Sequence, residues 1–170
     1  ANEVLPARAG LVREALRALG EGSDAPRVVE GDGRRFGAGE ERFDRILLDA
    51  PCTGLGALRR RPEARWRKTP DDLPPLVALQ AELLDAAVAA LAPGGLLAYV
   101  TCSPHPAETR DQVAAALERH PGLRALDTPA VLERIARVPL GLPGGSAAQL
   151  WPHRHGTDAM FVQLLSRVAG

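Results

Sequence analysis

A chain of 170 residues that is 45% hydrophobic and 25% charged has the size and apolar content of one domain with a core of its own. Its 21 basic and 21 acidic residues cancel, so no overall positive field draws in a nucleic acid, although a local patch can still do so. No apolar run approaches the roughly 20 residues of a membrane span, the opening Ala1-Asn2-Glu3 resembles neither part of a signal peptide, and the two cysteines are too few for a disulfide scaffold or a structural zinc site.

The expectation is therefore a cytoplasmic chain with no membrane segment and no metal site. It starts without methionine, inside what reads as a structured segment, so a piece of a longer protein is expected.

Residues 6–19 read as a helix: Pro6 suits a first turn, Leu11, Ala15, Leu16 and Leu19 form an apolar stripe, and Gly20 follows the end. Val28-Val29 is a short strand stopped by Gly31-Asp32-Gly33, and Phe43 with Ile46-Leu47-Leu48 makes a buried strand ending at Asp49-Ala50-Pro51. A basic, proline-containing loop follows from about Thr53 to Pro75. Leu76, Leu79, Leu83, Ala87 and Leu91 recur at helical spacing, with Pro93-Gly94-Gly95 as the stop. Leu96 to Val100 is another apolar strand, and the next helix turns Val113, Ala114 and Leu117 inward. Residues 121–158 read as a looser Pro- and Gly-rich stretch, with 139–149 the best candidate for a mobile loop, before a final strand from Met160 to Leu165.

Strands alternating with helices predict an α/β fold with a mainly parallel sheet, covered on both faces. In such sheets the working groups lie beyond the carboxyl ends of the strands. Three segments fall there: Gly31-Asp32-Gly33, Asp49-Ala50-Pro51-Cys52 and Thr101-Cys102-Ser103. Cysteine is often a small apolar filler, and that reading of Cys52 and Cys102 stays open. Against it stands the coincidence of both at strand ends, each followed by Thr or Ser, with Asp49 nearby. Asp49 equally suits a loop cap, and Asp32 between two glycines equally suits a turn. The run from Arg59 to Lys68 holds Arg59, Arg60, Arg61, Arg65, Arg67 and Lys68 around Trp66. Cations interleaved with an aromatic suit phosphate contact and base stacking, and a solvated loop is the alternative.

The motifs Leu48-Asp49-Ala50-Pro51-Cys52-Thr53-Gly54, Arg59-Arg60-Arg61-Pro62, Gln80, Pro93-Gly94-Gly95 and Tyr99-Val100-Thr101-Cys102-Ser103 together resemble the Nop/Sun family of RNA 5-methylcytosine methyltransferases, above all its bacterial Sun (Fmu) branch, which acts on small-subunit ribosomal RNA. The resemblance covers nearly the whole chain. It implies a Rossmann-like fold that uses S-adenosylmethionine and takes ribosomal RNA as partner. Residues 1–170 would then be the C-terminal part of the catalytic domain. The family's first strand, its glycine loop and its N-terminal RNA-binding region would be absent.

The resemblance also implies roles. Cys102 attacks C6 of cytosine, Cys52 assists product release, and Asp49 meets the base edge and lines the cofactor side. Glu3 takes the ribose hydroxyls and Asp32 the adenine, while Arg59, Arg60, Arg61, Arg65, Trp66, Arg67 and Lys68 contact RNA. The chain departs from the pattern after Cys102, where Pro104-His105-Pro106-Ala107-Glu108-Thr109 lacks one acid and an Asn, and at Ala159, where Gly is usual. The rival readings are a non-catalytic RNA-binding module on a degenerate methyltransferase fold, and a DNA methyltransferase, whose attacking cysteine typically belongs to the Pro-Cys motif.

Overall fold

The computed structural model describes residues 1–20, 25–39 and 41–168. Its centre is a mixed five-stranded sheet. β3 (Phe43–Asp49) pairs in parallel with β4 (Leu91–Thr101), and β4 pairs antiparallel with β7 (Phe161–Arg167). The other edge of β7 carries two short antiparallel strands, β5 (Leu123–Ala125) and β6 (Ala147–Gln149). Apart from it, β1 (Asn2–Glu3) and β2 (Val29–Glu30) form a parallel two-stranded sheet. The mainly parallel sheet expected from the alternation of elements is thus corrected to a mixed one: β7 reverses direction, and every pairing it makes is antiparallel.

The helix α2 (Leu73–Ala90) covers the sheet. Its fully or nearly buried face is Gln80, Leu84 and Val88, continued by Leu91; of the predicted stripe Leu91 is buried, while Leu76, Leu79, Leu83 and Ala87, one position away from that face, are half-buried. Residues Pro70–Ala90 are long and apolar enough to cross a membrane by length and composition, contrary to the reading of the sequence. Here that apolar surface packs on Leu97, Tyr99, Phe161 and Leu165. α2 stops at Ala90, short of Pro93-Gly94-Gly95. Those residues bulge out of β4, which pairs Leu91 with Phe43 and Leu96 with Arg45, and Gly94 takes the left-handed φ of 75° that glycine tolerates.

α1 (Pro6–Leu16) starts at its proline as expected, but only Ala9 is buried, while Leu11 and Leu19 are 71% and 72% exposed. Two strands of two residues each are too small a surface to cover the stripe. Leu47, on the edge strand β3, is also 71% exposed, so that face is not covered as the continuous apolar run suggested. In α3 (Arg110–Arg119) the inward side chains are Gln112, Val113 and Ala116, with Ala114 outside.

The stretch read as loose contains α4 (Thr128–Ile135), started by Asp127, whose side chain accepts from the Ala130 amide at 2.9 Å. It also contains β5, β6 and the short helix α5 (Pro152–His155). The segment taken as a mobile loop is tied down: Glu133 accepts from the amides of Leu140 and Leu142 at 3.0 and 2.9 Å, and His155 bonds the Leu140 carbonyl at 3.1 Å.

Leu84 is wholly buried within the core cluster. Leu84→Ala is expected to lower stability by about 2–5 kcal/mol, from the apolar burial removed plus the cavity left behind. Leu47→Ala, at an exposed site, should stay within about 0.5 kcal/mol. Urea midpoints of the two variants check both.

Candidate active site

Because β7 runs against β3 and β4, its first residues meet their carboxyl ends. Thr101 pairs with Phe161, and Asp49 with Val100. The loop after β3 is laced to its neighbours by backbone bonds: the Ala50 amide to the Val100 carbonyl, the Gly56 amide to the Cys102 carbonyl and the Ala159 amide to the Gly56 carbonyl, each 2.9 Å. A side chain at Gly56 has no room, since a Cβ there would fall 2.1 Å from the Ala159 carbonyl oxygen.

This lacing brings together two cysteines 50 positions apart. The sulfurs of Cys52 and Cys102, both half-buried and free, lie 3.4 Å from one another. Two thiols so close titrate as a pair. Loss of the first proton is eased, because the thiol that remains donates to the thiolate. That hydrogen bond from Cys52 lowers Cys102 to about 7, against the opposing effects of burial and of the Asp49 and Asp158 carboxylates. Cys52 is pushed far up, first by the same hydrogen bond and then by burial. Once the first proton is lost the pair shares one proton and one negative charge, and a thiolate so stabilised is a nucleophile.

A buried carboxylate stands behind the pair. Glu108 is fully buried and accepts from the amide and hydroxyl of Thr53, the hydroxyl of Ser103 and the side-chain amide of Gln80. The sequence reading assigned none of these four a role, although a hydroxyl residue after each cysteine was a visible signal.

Asp49 lies at the exposed end of β3, and desolvation by the surrounding protein raises its carboxyl above the usual range. Glu3 ends β1 half-buried and accepts from the Leu5 amide at 2.9 Å. Asp32 caps the turn Gly33–Ala38, accepting from the Arg34 amide at 3.0 Å, and also holds the Arg34 guanidinium. The arginine lowers its carboxyl to about 2.

The basic run divides in two. Arg59 and Arg60 both donate to Asp158, which is 6% exposed and comes from the turn before β7. They serve to fasten the loop as well as to carry charge, which narrows the expectation that all seven residues are free for a ligand. Arg61, Arg65, Arg67 and Lys68 are exposed and make no salt bridge among the described residues, and Trp66 beside them is 83% exposed.

A family model described as 16S rRNA methyltransferase RsmB/F matches residues 1–166. The chain belongs to this family. A putative methyltransferase of Mycobacterium tuberculosis (strain ATCC 25618 / H37Rv) is 52% identical over 168 residues, 99% of this chain and 35% of that protein. Ribosomal RNA small subunit methyltransferase B of Salmonella typhi is 48% identical over 103 residues, 59% of this chain and 24% of that one. The chain thus spans about a third or less of the length of these curated relatives. Among solved structures, PH0851 matches with a TM-score of 0.84 at 31% identity, over 98% of this chain and 36% of the other. NSun6 from Pyrococcus horikoshii, solved with SFG, matches with a TM-score of 0.80 at 26% identity, over 100% of this chain and 41% of the other. The resemblance to the Nop/Sun family holds, and the fold is that of Rossmann-like methyltransferases.

Alkylation by iodoacetamide tracks the thiolate fraction. At Cys102, followed by peptide mapping, it should rise with pH through about 7 and then level. In Cys52→Ala the donor to the thiolate is gone while burial and the two carboxylates remain, so the midpoint should move upward. An unmoved midpoint would mean that the two sulfurs do not share a proton.

Proposed function

We propose that this RsmB/F-family chain carries the reacting cysteines of an enzyme that methylates C5 of a cytosine in small-subunit ribosomal RNA, in the cytoplasm. In this reading it is the C-terminal part of a methyltransferase catalytic domain. The observation that carries the reading is the pair of half-buried thiols 3.4 Å apart at the carboxyl ends of two adjacent strands.

C5 of cytosine is a poor nucleophile. Addition of the Cys102 thiolate to C6 makes the ring enamine-like and C5 reactive, splitting one hard step into easier ones. Once the S–C6 bond forms, Cys102 no longer accepts the hydrogen bond that is the largest influence raising Cys52. The Cys52 thiol can then give its proton up to solvent and become a thiolate. Once C5 carries the methyl group, that thiolate takes the C5 proton, the C5–C6 double bond re-forms as the S–C6 bond breaks, and Cys102 and the product are freed. Asp49, raised by desolvation, meets the edge of the base and offsets charge that develops on attack.

Three carboxylates at the ends of β1, β2 and β3 are acceptors of the kind that bind hydroxyl and amino groups, and in chemistry they fit S-adenosylmethionine. SFG, with which NSun6 was solved, is an analogue of it. S-adenosylmethionine supplies an electrophilic methyl group. Glu3 would take the ribose hydroxyls and has one carboxylate oxygen beyond the one used on Leu5. Asp32 fits the adenine only if Arg34 turns away from it, and Asp49 borders both sites. Arg61, Arg65, Arg67, Lys68 and the exposed Trp66 form the RNA-facing edge.

The test uses RNA containing 5-fluorocytosine, which arrests the covalent stage, and protein that includes this chain with the rest of its domain. Cys102→Ala should form no adduct and no product. Cys52→Ala should accumulate a protein–RNA adduct on ordinary RNA, because release fails after attack. The opposite pattern would exchange the two roles, and no adduct from unaltered protein would favour a binding module.

RNA affinity measured against salt tests the basic edge. Replacing Arg61 and Arg65 with Ala should lessen the steepness of log K against log salt, by about 0.7–0.9 for each phosphate no longer neutralised. Replacing Arg59 and Arg60 should in addition lower thermal stability, because it strips a nearly buried carboxylate of its partners.

A further inference from the structure

Cys52 and Cys102 sit on separate loops, tied in the backbone where the Gly56 amide, beyond Cys52, donates to the Cys102 carbonyl at 2.9 Å. What joins the loops through side chains is Glu108. One carboxylate oxygen accepts from the Thr53 amide at 2.8 Å and from Gln80 Nε2 at 3.1 Å. The other accepts from the Thr53 hydroxyl at 2.5 Å and the Ser103 hydroxyl at 2.6 Å. Thr53 follows Cys52 and Ser103 follows Cys102. Gln80, itself fully buried, also donates to the Pro51 carbonyl at 2.8 Å, so both neighbours of Cys52 are held. The backbone of Glu108 is fixed in turn by the Tyr99 hydroxyl, which donates to its carbonyl at 2.9 Å. Besides the contact of the two sulfurs themselves, the Thr53 and Ser103 hydroxyls approach to 3.4 Å, too long to set a separation.

We propose that Glu108 is a positioning residue, whose buried carboxylate holds the Cys52 loop and the Cys102 loop at the separation where the two sulfurs act as one unit. Glu108 touches neither sulfur through a hydrogen bond. It acts through the residue that follows each cysteine. All four of its partners donate to it, two through hydroxyls that can also accept. Aspartate is too short to reach both loops. Glutamine has the right shape, and the two hydroxyls can turn to accept from its amide. The meaning of this device in turnover rests on the two-cysteine chemistry proposed above, whereas the geometry can be tested without it.

Phenylarsine oxide reports that geometry. With two neighbouring thiols its As–O bond breaks and two As–S bonds form. The thiol protons leave with the oxygen as water, and arsenic stays trivalent. A chelate of this kind resists exchange with a monothiol because the second sulfur is already in place. The full chain should bind the arsenical at a ratio of one, protect both cysteines, and release it slowly to excess 2-mercaptoethanol. In Glu108→Ala both thiols remain, but release should be at least about tenfold faster, since the effective concentration of the second sulfur falls. Glu108→Gln should return most of the slow release. Leu123→Ala is the control: it is buried on β5, which pairs with the far end of β7, and should lose stability while keeping slow release. Slow release from Glu108→Ala, fast release from Leu123→Ala or no restoration by glutamine would each overturn the proposal. Should Glu108→Ala fail to fold, Ser103→Ala cuts the Cys102 loop alone from the carboxylate. Fast release from it supports the proposal, and release as slow as in the unaltered chain overturns it. Arsenical results as expected beside a failed 5-fluorocytosine adduct would leave the positioning intact and remove the methylation chemistry.

Discussion

Four donors converge on a carboxylate that has no contact with water. A carboxylate taken out of solvent is costly unless its lone pairs are satisfied, and removing one partner leaves an expense larger than the bond itself. Glu108 is satisfied only while the loop after β3, the loop after β4 and the buried face of α2 stand where they do, because these supply Thr53, Ser103 and Gln80. The constraint runs in both directions: the loops order the carboxylate, and the carboxylate orders the loops. A buried carboxylate whose partners are supplied in this way rigidifies its surroundings and selects one arrangement of them. Here the arrangement selected sets two sulfurs side by side.

The other half of the site is built on the opposite principle. Asp158 is nearly buried, but its partners Arg59 and Arg60 are 47% and 62% exposed along their side chains. The carboxylate anchors the base of a loop whose remaining cations stay in solvent. An acid-backed floor beneath a solvent-facing basic edge suits the proposed activity, since phosphate contacts tolerate adjustment and bond formation at a ring carbon does not.

The two thiols show how proximity alone creates function. Apart, each would be an ordinary half-buried thiol whose partial desolvation favours the protonated form. Together, one thiol stabilises the other's anion, which lowers the pH at which the pair loses its first proton. In the proposed chemistry the same link gives an order of events, because consuming the thiolate in a covalent bond removes the interaction that kept the second proton in place.

Much of this protein was legible from residue order. Both cysteines follow apolar runs that form strands, and strand ends are where α/β sheets work. Local periodicity set α2, Pro6 opened α1, and the cations around Trp66 lie exposed as a basic loop should. Periodicity did not say which stripe would find a partner. Leu11 of α1 and Leu19 beyond its end face solvent because two short strands offer little surface to cover them, and the buried face of α2 lies one residue from its richest leucine row and includes Gln80, a polar residue. The reversal of β7, the 3.4 Å sulfur separation, and the tethering of Arg60 to a residue 98 positions away were decided only by the tertiary structure. So was the joining of Thr53 to a carboxylate 55 positions later. The physical reason is common to all of them. A strand or helix is encoded by neighbours in the chain, whereas a buried hydrogen bond between distant residues depends on which surfaces the folded core brings together.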